Sequence, residues 1–69
     1  MYYEDKKVIS ISKPLYQYHK KYIICVNSSE FWIIYDETDS LFMAKNIVKR
    51  LEDSKDECII ILNGKGSIQ

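Results

Sequence analysis

From Tyr22 to Gln69 the hydrophobic period of the chain changes in a fixed order, and that order constrains the fold more than any other feature. Two short runs rich in β-branched and aromatic residues come first, YIICV at 22–26 and FWIIY at 31–35. Such residues fit a pleated, half-buried surface. The run LFMAKNIVKRL at 41–51 follows, with apolar residues at helical spacing, and then CIIIL at 58–62, closed by NGKGS. A period near two, then one near 3.6, then a run too short for a helix reads as strand, strand, helix, strand.

The flanking residues refine this order. Met1–Lys7 is polar apart from Tyr2 and Tyr3 and reads as a frayed start. VISIS at 8–12 alternates and predicts a half-buried strand, which Lys13-Pro14 ends because proline has no ladder donor. Alternation through Tyr16, Tyr18, Tyr22, Ile24 and Val26 predicts a strand over Tyr22–Val26 with an extension back to Tyr16. Asn27–Glu30 then supplies a hairpin turn. Phe31–Tyr35 is apolar on both faces, so it needs a helix on one side and a second cover, such as a partner, on the other. Asp36–Ser40 is a string of side-chain acceptors, with Asp39 or Ser40 as the N-cap of the helix. Leu41, Ala44, Ile47, Val48 and Leu51 form its inward stripe. Residues 53–56 are the exit loop, Asn63-Gly64 is a turn dipeptide, and Ser67–Gln69 starts a further edge strand. The fold class that follows is α+β. Residues 1–69 are expected to form one two-layer domain, a three- to four-stranded mainly antiparallel sheet with one helix packed on one face, in the order β-β-β-α-β.

With 69 residues, such a domain lies near the size where only about 60% of the unfolded surface is buried, and self-association is a ready source of extra burial. Ten basic and ten acidic residues cancel, which removes the net positive field typical of nucleic-acid proteins. Cys25 and Cys58 sit inside apolar runs without a C-x-x-C or Cys/His cluster, so they are read as core thiols of a cytoplasmic protein. No apolar run approaches the ~20 residues that cross a bilayer, and a soluble chain is expected. Abundant Ile, Lys, Tyr, Asn and Asp match coding by an A+T-rich genome, such as that of a low-GC Gram-positive bacterium or its phage.

The runs EFWIIYD, MAKNIVKRLED and ECIIILNGKGSIQ resemble a family of short bacterial domains of unknown function. Its members carry a hairpin with a W-x-V-type second strand, a helix opened by Thr with inward alanines, a short strand and a glycine-rich tail similar to G-R-D-G-R-I. Trp32, Ile34, Ala44, Ile60, Gly64, Gly66 and Ile68 occupy comparable places, over the last two thirds of the chain. Two departures stand out: Lys65 alone separates the glycines, and Ile61-Leu62 replaces a histidine that often precedes the tail. The resemblance implies a hairpin-helix-strand fold and no activity.

Chemistry-bearing groups are few. His19, the single histidine, has no nucleophile near it in sequence and reads as a surface residue. Asp36, Glu37 and Asp39 lack the spacing of a calcium loop and are accounted for by helix capping. The glycine tail lacks the G-x-x-x-x-G-K-[ST] of a phosphate loop. Neither a metal nor another cofactor is expected, and no enzyme activity. Two surfaces remain. Phe31, Trp32, Tyr35, Phe42 and Met43 exceed what one helix on a small sheet covers, which points to a protein interface, with a partner or as a homodimer, formed by Trp32, Tyr35, Tyr16, Tyr18 and Phe42. The alternative is single-stranded nucleic acid stacked on an exposed arm of Tyr16, Tyr18, Lys20 and Lys21.

Overall fold

The computed structural model describes residues 2–63 of the chain. It contains β1 (Tyr2–Tyr3), β2 (Lys6–Ile9), a single 3₁₀ turn at Leu15–Gln17, β3 (Tyr22–Ser28), β4 (Phe31–Thr38), helix α1 (Leu41–Asp53) and β5 (Cys58–Leu62). The strands form one sheet in the order β1-β2-β4-β3-β5, antiparallel throughout except for the parallel pair β2 and β4. The class is the expected α+β, with a larger sheet of five strands. The expected edge strand at Ser67–Gln69 lies outside the described residues.

Residues 2–7 form a short hairpin where the sequence suggests a frayed start. Tyr2 and Tyr3 pair with Lys7 and Lys6, and the two residues between, Glu4 and Asp5, have φ of 51° and 63°. Left-handed backbone at both turn positions matches the twist of the flanking strands, which is why two-residue hairpins adopt it. The second strand ends at Ile9, so Ser10–Ser12 leave the ladder earlier than the alternation predicts. The β3–β4 hairpin turns at Ser29-Glu30, with Ser28 opposite Phe31. Further along, Ile24 faces Asp36 while Cys25 faces Ile34, so Tyr35 is the extra residue of a bulge.

Side chains alternate across the sheet and build two cores. On one face Ile24, with Tyr22 and Ile60, packs under Ala44, Ile47, Val48 and Leu51 of α1. On the other face Val8, Ile23, Cys25, Trp32, Ile34 and Ile61 are buried together with Tyr18, and Tyr3, Leu15 and Ile59 pack against them. The connection from β2 to β3 explains this second core. β4 lies between those strands in the sheet, so residues 10–21 must cross it. They do so on the face away from the helix. There the 3₁₀ turn, closed by Gln17 N–H to the Pro14 carbonyl at 3.0 Å, sets Leu15 and Tyr18 three residues apart on one side. The strand expected to reach back to Tyr16 therefore begins at Tyr22. The second cover required by Phe31–Tyr35 is the chain's own crossing segment.

The helix begins where the sequence predicts and runs one residue further, through Asp53 of the expected exit loop. Ser40 is the N-cap, its Oγ accepting from the Met43 N–H at 3.2 Å, a contact worth about 1 kcal/mol. At the other end Lys55 is left-handed (φ 67°), with Lys55 N–H bonded to the Glu52 carbonyl and Asp56 N–H to the Leu51 carbonyl. These two bonds satisfy carbonyls that the last turn leaves open. Among the described residues no helix is long and apolar enough to cross a membrane.

Candidate functional site

The structure separates the aromatic residues that the sequence groups. Tyr18 and Trp32 are 3% and 4% exposed, so neither forms part of an outer surface. The Tyr18 hydroxyl lies 2.6 Å from Ser10 Oγ, and its carbonyl accepts from Asn63 Nδ2 at 3.1 Å. Trp32 meets the Tyr3 ring edge-on at 6.1 Å, and Lys6 Nζ lies 4.9 Å from its ring centre while also donating to the Ser28 carbonyl and to Asn27 Oδ1. Both were expected at an interface or on a stacking arm; both instead close the second core. Of the remaining interface candidates, Tyr16, Tyr35 and Phe42 are exposed. Tyr16 stands on the crossing segment and Phe42 on the helix, which cover opposite faces of the sheet.

The arm expected to carry nucleic acid is fastened to the sheet by acids. Glu37 Oε1 accepts from the His19 and Lys20 N–H groups at 3.0 and 2.9 Å, and its Oε2 pairs with Lys13. Asp39 Oδ1 accepts from the Lys21 N–H at 2.9 Å. Glu37 and Asp39 thus hold the crossing segment rather than cap the helix, and Asp36 Oδ1 accepts from the Glu37 N–H. Burial of Glu37 pushes its carboxyl upward, but the hydrogen bond from Lys13 and those from Lys20 and His19 outweigh it, and the net shift is downward. Lys20 and Lys21 remain exposed, with Lys21 Nζ 5.6 Å from the Tyr22 ring. Among the described residues no group of three or more His, Cys, Asp and Glu gathers to hold a metal.

The two thiols are free, Cys25 buried and Cys58 half-buried. Burial, and next the nearby Cys58, pushes Cys25 up to about 12. Burial followed by Asp56, Glu52 and Glu57 also raises Cys58. Nucleophilic cysteines need the opposite shift. In the native protein at pH 8, a thiol reagent such as Ellman's should therefore titrate Cys58 slowly and Cys25 only after denaturant is added. Rapid modification of both thiols in the native state would contradict this burial.

One contiguous stretch of sequence is left outside both cores. Leu41, Phe42 and Met43, the first three residues of α1, are 43%, 73% and 48% exposed. The helical stripe placed Leu41 inward, and the structure turns it out for a reason of position. Thr38, Tyr22 and Leu62 lie in one row at the end of the sheet, and the helix begins three residues past Thr38. The first turn therefore stands at the sheet end, and the stripe becomes buried only from Ala44 onward. Met43, which the sequence counts in the apolar surplus, and Leu41, which it places inward, join Phe42 as candidates; three apolar residues directly after an N-cap are the signal. Comparison with family models, characterised proteins and solved structures finds no match for the chain.

Proposed function

We propose that this domain is a non-catalytic interaction module that binds another protein through the apolar first turn of α1, with Tyr35 as a further exposed aromatic. The observation that carries the reading is the exposure of Leu41, Phe42 and Met43 together, on a rigid helix end fixed by the Ser40 cap. Three exposed apolar side chains grouped on one helical turn favour cover by a partner. Met and Phe are favoured in such contacts because their area is large and, for Met, adaptable. The partner that fits is a protein with an apolar groove that accepts a helix end, as for a phage- or plasmid-type modulator of a host protein, and self-association belongs to the same proposal. A nucleic-acid role would rest on Tyr16, Lys20 and Lys21 alone, because Tyr18 is interior.

The test compares three immobilised forms exposed to extract of the producing cell. Wild type should retain a discrete protein, Phe42→Asp should lose it by roughly tenfold or more, and Lys49→Glu on the same helix should keep it within about twofold. Equal retention by wild type and Phe42→Asp, with both folded by circular dichroism, would overturn the reading.

A further inference from the structure

The segment that covers the second core is tied to the sheet largely by side chains. Residues 10–21 cross β4 between β2 and β3, and of these twelve only Tyr18 is buried, while Ser10, Lys13 and Leu15 are half-buried. Among the described residues the backbone bonds inside this segment are those of the 3₁₀ turn, Gln17 N–H to the Pro14 carbonyl and Tyr18 N–H to the Leu15 carbonyl. The Glu37 carboxylate holds the Lys13 ammonium and the His19 and Lys20 N–H groups. Asp39 accepts from the Lys21 N–H, and Asn63 Nδ2 donates to the Tyr18 carbonyl. At the far end the Lys21 carbonyl accepts from the Asn63 N–H.

The segment is also much longer than the gap it spans. Strands two places apart in a sheet are separated by about 10 Å, and the step along β4 from the Ile33 row, where β2 ends, to the Thr38 row, where β3 begins, adds about 16 Å. The diagonal is then about 19 Å, whereas twelve extended residues reach about 40 Å. Release of the segment therefore pulls on neither strand. β2 keeps its ladder to β4 from Lys7 to Ile9, and the core under α1 contains no residue of the segment.

We propose that residues 10–21 form a strap that opens as one unit while α1, β3, β4 and β5 stay folded, with the Glu37 carboxylate as its latch. The closed form hides Val8, Ile23, Cys25, Trp32, Ile34 and Ile61, and the open form bares that apolar face. Opening is collective because one carboxylate holds positions 13, 19 and 20, on both sides of the 3₁₀ turn, so loss of one contact loosens the rest. The strap is also bonded to itself. The Tyr18 hydroxyl meets the Ser10 and Ser12 hydroxyls, and Lys13 Nζ lies 4.4 Å from the Tyr18 ring centre, so these residues leave together. Segments with few buried contacts open locally, without global unfolding. The strap goes beyond the proposed function: it covers the face of the sheet opposite the helix, and it opens whether or not the helix end binds a partner.

Amide hydrogen exchange resolved by residue with NMR, at pH 7 and in urea below the unfolding transition, tests the strap. Corrected for intrinsic rates, the amides of residues 17–21 should share one opening equilibrium and exchange at least about tenfold faster than those of residues 23–26 in β3. Their rates should rise with urea, because the second core is bared, but less steeply than those of β3, which need the whole fold to open. Glu37→Gln weakens the hold on Lys13 and on the two N–H groups, and should speed exchange at residues 17–21 at least about threefold. Exchange of residues 17–21 with the rate and urea slope of β3 overturns the proposal, because the strap then leaves only on global unfolding. Unrelated rates at these five positions with no urea slope also overturn it, since they describe fraying over a closed core. Unchanged exchange there in Glu37→Gln removes the latch and overturns it as well.

Discussion

Trp32→Ala should lower stability by about 3 to 5 kcal/mol, the usual cost of deleting a buried aromatic. For a chain of 69 residues that is comparable with the whole free energy of folding, so the variant should be largely unfolded in buffer. The indole sits in the core that the crossing segment closes, against Tyr3 and beneath Lys6. Trp32→Phe separates packing from polarity. Among the described residues the indole N–H has no hydrogen-bond partner, so phenylalanine removes a buried donor that is a cost to the native state. It should lose only about 1 to 2 kcal/mol, part of the lost volume being offset. Urea titration followed by far-UV circular dichroism measures both, since Trp32 is the only tryptophan and the indole emission is lost with it. An alanine variant with the wild-type midpoint would place the ring outside the core.

Trp32 also shows what the sequence could and could not convey. Strand, helix and strand from β4 to β5 are legible because each is specified within its own window: β-branched runs, the Ser40 cap, the stripe at Ala44, Ile47, Val48 and Leu51. What covers the second face of β4 is not local. It depends on strand order, since only the placement of β4 between β2 and β3 forces residues 10–21 across the sheet. The alternation of Tyr16, Tyr18 and Tyr22 reads as one strand until Pro14 is seen to open a 3₁₀ turn, after which a spacing of three, Leu15 and Tyr18, sets what faces inward. The same non-local fact reassigns Glu37 and Asp39 from helix caps to anchors. For the candidate site, the surplus of apolar residues was legible and Phe42 was placed correctly on the surface, but assigning Trp32 and Leu41 required knowing where the sheet ends.

The anchoring role of Glu37 predicts a dependence on pH with a definite sign. Its side chain is 12% exposed and receives two backbone N–H groups and the Lys13 ammonium, and its carboxyl is held below the usual glutamate range in the folded chain. A group whose folded pKa is depressed contributes stability that is complete above its unfolded pKa and is lost as pH falls through the folded value. Stability should thus be flat from neutral pH to about 5 and then decline across and below the ordinary carboxylate range. Glu37→Ala leaves the His19 and Lys20 N–H groups and the Lys13 ammonium without this acceptor, at a cost of about 2 to 3 kcal/mol at pH 7. Glu37→Gln keeps an amide oxygen for the two N–H groups and loses only the charge, so it should cost less and flatten the acid decline. Urea midpoints of the three proteins between pH 3 and 7 test this. The loss should begin with the crossing segment, because Glu37 ties down residues 13, 19 and 20 and through them the position of Tyr18, the lid of the second core. An acid decline as steep in Glu37→Gln as in wild type would assign the pH dependence to other carboxylates and remove Glu37 from that role.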